Sequence, residues 1–336
     1  MMDALRVPVV DGSQPAEARR AATTLAAQAG FEATGAGRVA LVATEAATNL
    51  VKHGAGGEIV VLALEDGSER AIDILALDKG RGIGDLAASR RDGYSTAGSP
   101  GTGLGAISRL ADLHDIYTQP GKGTALFARV WRAPARRSAA PSALAVGGLA
   151  VAKGGEDVCG DSWSFILRPT SGAVMVADGL GHGPAAAEAA REALRTFATY
   201  RRAGPAAALE AAHGALRSTR GAAIAVAEVD AERRVVTFAG VGNIGGAVLS
   251  PAEKRNVVSH NGTVGHQMRK VHEFTYPWGD DALLVLHSDG LGTHWSLDGY
   301  PGLASRHPSL IAGVLYRDFS RGRDDVTVVV VKRRAA

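Results

Sequence analysis

The sequence predicts an α+β chain built from two domains, and three observations carry that prediction. A Pro-, Ala-, Ser- and Arg-rich run, APARRSAAPSAL at residues 133–144, separates two stretches that each mix helical and strand patterns. The first stretch leads with two Ala-rich helical patterns and follows them with a hairpin. The second repeats one kind of punctuation, an apolar run closed by Asp-Gly, at Val174–Gly179 and again at Leu283–Gly290. With 336 residues and 46% apolar side chains, the chain is long enough for two cores. The expected boundaries are 1–132, a linker at 133–144, and 145–336.

In the first domain, residues 3–10 alternate loosely and fit an edge strand, and Gln14–Gly30 carries a helical pattern. A second helix is expected over Gly37–His53, where Val39, Val42, Ala46 and Leu50 recur at helical spacing. Lys52, His53 and Gly54 close it with basic residues and a glycine. Glu45 and Asn49 are four apart and share a face. That face reads in two ways: as the polar edge of an amphipathic helix, or as a carboxylate that activates a nucleophile beside an amide oxygen that binds Mg²⁺. Glu58–Leu64 and Ala71–Leu77 form a hairpin around Glu65-Asp66-Gly67-Ser68. Asp78 ends the second strand in DKGRGIGD, where Gly80, Gly82 and Gly84 would let a flat ring approach the backbone. Leu86–Pro100 is too rich in Ser, Gly and Arg to pack. GTGLG (Gly101, Thr102, Gly103, Leu104, Gly105) opens a helix over Ala106–Asp112, whose free N-terminal amides suit an anion, although such loops are common. Gln119–Gly123 makes a turn and Thr124–Trp131 a strand.

In the second domain, Leu144–Lys153 and Trp163–Leu167 read as strands, with Asp161 between them after Cys159-Gly160. Val174–Ala177 is a short buried strand that ends at Asp178-Gly179 and runs through Leu180-Gly181-His182-Gly183 into a helix at Pro184. Helices are expected over Pro184–Tyr200 and Pro205–Ser218. Strands are expected over Ala222–Val229, Arg234–Gly240, Gly246–Leu249 and Leu283–Leu286. Asp289 follows the last of these, and Asp324-Asp325 opens a final strand over Val326–Val331. Four carboxylates at strand ends, far apart in sequence, could converge on two divalent cations about 3.5–4 Å apart, a spacing that serves phosphoester hydrolysis.

Together, EAATN (45–49), DKGRGIGD (78–85), GTGLG (101–105) and GKGT (121–124) resemble, in order and spacing, the GHKL ATP-binding fold. The domain looks like the small serine kinases of bacterial partner switching, the RsbT and SpoIIAB/RsbW group. The resemblance implies a Bergerat α/β sandwich in which Glu45 is the catalytic base and Asn49 the Mg²⁺ ligand. Asp78 would bind the adenine amine, Gly80, Gly82 and Thr124 would line the adenine pocket, and residues 101–105 would cradle phosphates. In the second domain, GD(S), ADGLGHG, SDGL and RDDVTVVVV, in that order, resemble the SpoIIE/RsbX-like branch of the metal-dependent protein phosphatases. That likeness implies an αββα sandwich holding two Mn²⁺ or Mg²⁺ ions through Asp161, Asp178, the Gly179 carbonyl, Asp289 and Asp324. Asp325 would stand behind them. His182 reads equally as a general acid or as a turn residue, while Asn243 and His260-Asn261-Gly262 border the pocket.

Composition narrows the rest. The net charge is +3, and acidic and basic residues nearly balance in each half. No basic face interleaves with aromatics, so nucleic acid is not an expected partner. A single Cys159 excludes an internal disulfide and fits a reducing cytosol, and no run of 18 apolar residues suggests a membrane span. The expectation is a cytoplasmic protein, compatible with a homodimer, that uses ATP and Mg²⁺ to phosphorylate STAS-domain or stressosome scaffold proteins. Its second domain would remove phosphate from phosphoserine or phosphothreonine. A sigma factor or downstream output protein is a further candidate partner. In the alternative reading the first domain only sequesters a sigma factor or STAS protein, using ATP structurally, and the phosphatase alone is catalytic.

Overall fold

A computed structural model of the chain describes residues 4–67, 69–84, 103–133, 142–200 and 203–334. Gly101, Thr102 and most of the expected linker lie outside these residues. The chain divides into two compact units. One comprises Met2–Ser138 with Ser296–Arg317, the other Ala139–Trp295 with Asp318–Ala336. Residues 296–317 therefore fall in the sequence range expected for the second domain but pack with the first unit.

The first unit is a five-stranded antiparallel sheet in the order β1-β2-β3-β5-β4, from β1 (Leu5–Val9), β2 (Gly57–Asp66), β3 (Glu69–Leu77), β4 (Leu113–Gln119) and β5 (Gly123–Trp131). The helices α1 (Gln14–Gln28), α2 (Ala33–His53) and α3 (Gly103–Leu110) cover one face. Because strand side chains alternate, Ile72, Ile74 and Ala76 of β3 and Leu126, Ala128 and Val130 of β5 meet Leu25, Val39, Val42, Leu50 and Ile107 there. The other face is also buried, through Asp73, Leu75, Leu77, Phe127 and Arg129. Its cover is the segment 296–317 and the helix α6 (Pro308–Phe319). The His307 ring stacks on Phe127 with centroids 4.2 Å apart, and a methyl added at Gly313 would lie 3.2 Å from a Leu77 methyl carbon. The backbone amide of His307 donates to Asp115 Oδ2 at 2.8 Å. Arg317 donates to the backbone carbonyl of Asp78 at 2.8 Å.

The second unit holds two five-stranded antiparallel sheets. One runs β13-β10-β9-β8-β7, from β7 (Asp161–Leu167), β8 (Ser171–Gly179), β9 (Ala222–Asp230), β10 (Val235–Val241) and β13 (Phe274–Pro277). The other runs β12-β11-β14-β15-β6, from β6 (Leu144–Val151), β11 (Gly245–Leu249), β12 (Lys254–Asn256), β14 (Leu283–His287) and β15 (Val326–Arg333). The helices α4 (Pro184–Ala198) and α5 (Pro205–Ala215) bury their alanine faces on Ala173, Met175, Ala177, Ile224, Val226 and Ala239 of the first sheet. Small side chains let helix and sheet approach closely, which explains the alanine content of both helices. Val174 and Val176 point the opposite way and are buried too, so β8 is covered on both faces.

The expected elements form, with small shifts at their ends. Strand β4, the short β12 and β13, and helix α6 have no counterpart in the sequence reading. Among the described residues no helix is long and apolar enough to cross a membrane.

Candidate active sites

The first site is built where α2, the end of β3 and the start of α3 meet. Glu45 and Asn49 lie one turn apart on α2 and are both half-buried. A methyl added at Gly103 would stand 3.0 Å from Asn49 Oδ1 and 3.3 Å from Glu45 Oε2, so the start of α3 faces this pair directly. Asn49 Nδ2 is buried without a hydrogen-bond partner among the described residues. A buried amide left unpaired is costly, and a bound polar ligand would satisfy it.

Asp78 is buried at the end of β3. Its Oδ1 accepts the backbone amides of Gly80 at 2.8 Å and Thr124 at 3.2 Å. Burial pushes its carboxyl above the ordinary range, opposed by those two amides and by the Arg317 charge. With both bonds on Oδ1, Oδ2 is left to accept from a ligand. No side chain fits at Gly80, where a methyl would lie 2.7 Å from the Gly54 carbonyl oxygen, so the end of α2 rests against this loop. Thr124 joins through its hydroxyl, 3.1 Å from that of Thr118, which in turn accepts the Ile83 amide at 2.8 Å. Glu45, Asn49 and Gly103 are thus brought together, with Asp78, Gly80 and Thr124 forming a second cluster around the end of β3. These residue types fit a nucleotide: an acceptor for an amine, a glycine-rich helix start for anions, and an amide oxygen for a hard cation.

The second site forms where strand ends of both sheets of the second unit meet. β7 and β8 pair so that Asp161 and Asp178 are register partners. Asp178 is pushed well above the usual carboxylate range, first by burial and then by the charges of Asp161, Asp289, Asp324 and Asp325. Asp161 is raised by burial and by Asp325 and Asp289, against a hydrogen bond from Ser288. Its Oδ2 is buried without a hydrogen-bond partner among the described residues. Five carboxylates close enough to repel one another, one with an orphaned oxygen, fit divalent cations. Among the described residues no three His, Cys, Asp or Glu side chains are placed so that they could hold one metal ion together.

Several residues brace the turns around this cluster. Asp325 is occupied on both oxygens, by the backbone amides of Lys153 at 2.7 Å and Gly160 at 2.8 Å, so it ties the turn before Asp161 to the start of β15. His182 is exposed and pairs with Glu156 at 2.7 Å. His287 is buried next to Ser288; its Nε2 accepts the Trp295 indole N–H at 2.9 Å. Burial holds it below its ordinary pKa, so it serves as a neutral peg under Asp289. Asn243 donates from Nδ2 to Asp289 Oδ2 at 2.7 Å. His260 backs the same turn, its carbonyl accepting the Gly242 amide at 2.8 Å. The sequence reading passed over His287 and Ser288, although they adjoin the Asp-Gly that it singled out.

Comparison with known proteins finds one family in each half of the sequence, the second match running through residues 296–317. Residues 11–130 match the family described as "Histidine kinase-like ATPase domain", and residues 169–334 match "Stage II sporulation protein E (SpoIIE)". The chain is 31% identical over 114 residues to the serine/threonine-protein kinase RsbT of Bacillus subtilis (strain 168), covering 34% of this chain and 86% of the relative. It is 26% identical over 140 residues to the phosphoserine phosphatase RsbX of the same organism, covering 41% of this chain and 70% of the relative. A solved structure from work on the bacterial stressosome, as a modular system adapted to control secondary messenger signalling, superposes with a TM-score of 0.53 at 28% identity. It covers 56% of this chain and 99% of that one.

Proposed function

Because the chain belongs through its first domain to the RsbT-like histidine kinase-like ATPases and carries a SpoIIE/RsbX-like phosphatase as its second, we propose that it sets the phosphorylation state of a STAS-domain partner from both directions. The observation that carries this reading is that residues scattered along each half meet within one unit of the fold. In the first domain Asp78 Oδ2 accepts the exocyclic amine of adenine and Asn49 Oδ1 holds Mg²⁺. Glu45 takes the proton from the partner's serine or threonine hydroxyl as the γ-phosphoryl group is transferred. In the second domain Asp161, Asp178, Asp289 and Asp324, with the Gly179 carbonyl, hold two Mn²⁺ or Mg²⁺ ions. Bound there, the ions would supply the charge that activates water and offsets negative charge on the phosphoryl oxygens. Asp325, which accepts the Lys153 and Gly160 amides, keeps the Asp161 turn closed against β15 and stands behind the ligands.

The test is a paired assay with a STAS-domain protein, unphosphorylated for transfer and phosphorylated for hydrolysis. Glu45→Gln keeps size but loses basicity, and should slow transfer by about 10²–10⁴-fold with ATP affinity little changed. Asp178→Asn should abolish Mn²⁺-dependent hydrolysis. If Glu45→Gln transfers phosphate at the parental rate, Glu45 is not the base; if the parent forms a stable complex with the partner and transfers no phosphate, the first domain is a binding module and the kinase mechanism is wrong.

A further inference from the structure

The turn Gly242–Ile244 links β10 of one sheet of the second unit to β11 of the other. It makes this crossing at the end of the unit where the carboxylates meet. On one side, β10 pairs with β9, whose Ala223 is the register partner of Asp178. On the other, Gly245 is the partner of His287, two residues before Asp289. The turn is fixed at both ends. Gly242 has φ +97°, its amide is bonded to the His260 carbonyl, and a side chain there would fall 2.4 Å from the Ala223 methyl. At Gly245 a methyl would lie 2.7 Å from the His287 ring, so the backbone lies flush on that peg. From this rigid turn the Asn243 amide reaches Asp289 Oδ2 at 2.7 Å. The acceptor is a carboxylate, which dictates that the NH₂ group and not the amide oxygen faces it.

We propose that Asn243 is a positioning residue for Asp289. By occupying Oδ2 it leaves Oδ1 as the free oxygen, so that Asp289 offers the cation one oxygen in one orientation. The inference rests on the reading above that Asp289 is a metal ligand. Hydrogen bonds to a ligating carboxylate fix its orientation, and their loss typically lowers metal affinity by about 10–100-fold. The bond is exposed, so its loss costs the fold little.

The experiment measures Mn²⁺ binding to the full chain without nucleotide, from the free-ion signal in electron paramagnetic resonance. It compares parent, Asn243→Ala and Asp178→Asn, and records melting temperatures in EDTA. Asn243→Ala should weaken Mn²⁺ by about 10–100-fold while its melting temperature in EDTA stays at the parental value. Parental Mn²⁺ affinity in Asn243→Ala, with affinity lost in Asp178→Asn, overturns the inference and leaves the metal site standing. Unchanged affinity in Asp178→Asn as well overturns the metal-site reading itself. A fall in the EDTA melting temperature of Asn243→Ala assigns the side chain to the fold and also overturns the proposal.

Discussion

Asp178 illustrates what one residue costs in order to be useful. Burial comes first and four neighbouring carboxylates second in raising its pKa, so in the metal-free fold its charged form is disfavoured. The sign follows from linkage. The unfolded chain titrates near an ordinary aspartate, about 3.9, whereas the folded value lies above it. The stabilising contribution is therefore complete below about pH 4 and is lost as pH rises through the raised folded value; Asp161 acts in the same direction. In EDTA the melting temperature should fall as pH is raised from 5 to 8. Asp178→Asn, which keeps the shape without the charge, should melt above the parent at pH 8, by about 2–4 °C per kcal/mol recovered. On the proposed metal site Mn²⁺ should reverse that order, because the parent would bind it and Asp178→Asn would not. A flat EDTA profile between pH 5 and 8 would contradict the crowding of charge described at this site. These carboxylates were legible in the sequence because each sits at a strand end, most of them marked by an adjoining glycine. Asn243 was legible only as a neighbour, since its partner lies 46 positions away across a turn between two sheets.

At the scale of the element, β3 and β5 carry a charge pair where their alternation calls for apolar residues. Arg129 Nε and Nη2 donate to Asp73 Oδ1 and Oδ2 at 2.6 and 2.7 Å, and both side chains are buried. Ser309 of α6 adds a longer contact to Asp73 Oδ2 at 3.4 Å. Removing one member of such a pair leaves an uncompensated buried charge, at a cost of about 3–5 kcal/mol, whereas replacing both with apolar residues is often neutral. Arg129→Ala should therefore lower the urea midpoint of the first unit sharply, and Asp73→Leu with Arg129→Leu should restore most of it. If Arg129→Ala unfolds at the parental midpoint, the pair is not desolvated. Helix α6 explains why part of the fold could not be read. Leu310, Ile311, Ala312, Val314 and Leu315 are all buried, along with Ser309, Tyr316 and Arg317, so the helix has no polar stripe and gives no helical period. Strand β4, LHDIYTQ, hides differently: it mixes polar and apolar residues and lacks the nearly continuous apolar runs of β2 and β3.

At the scale of the molecule, the segment 296–317 matters most, because it lies in sequence between Asp289 and Asp324 of the second unit and yet packs with the first. The sequence reading divided the chain at its linker, as composition suggests, and nothing local marks a later segment as belonging to the earlier unit. The physical consequence is specific. Without residues 296–317, the sheet face bearing Leu75, Leu77 and Phe127 has no cover from within its own unit. Each of these fully buried side chains is worth about 1.5–3 kcal/mol relative to exposure. A contiguous apolar face of that kind drives self-association. The Asp78 carbonyl would also lose its bond from Arg317, beside the carboxylate proposed to select adenine. A fragment of residues 1–138 should therefore bind a hydrophobic dye, self-associate in gel filtration and hold ATP more weakly than the full chain does. Full-length protein with 296–317 replaced by a Gly-Ser linker of equal length should show the same weakened ATP binding, since the cover is lost although the remaining chain is kept. A fragment that stays monomeric, ignores the dye and binds ATP with the affinity of the full chain would mean that the first sheet is stable with one face bare, and that 296–317 is not part of its fold.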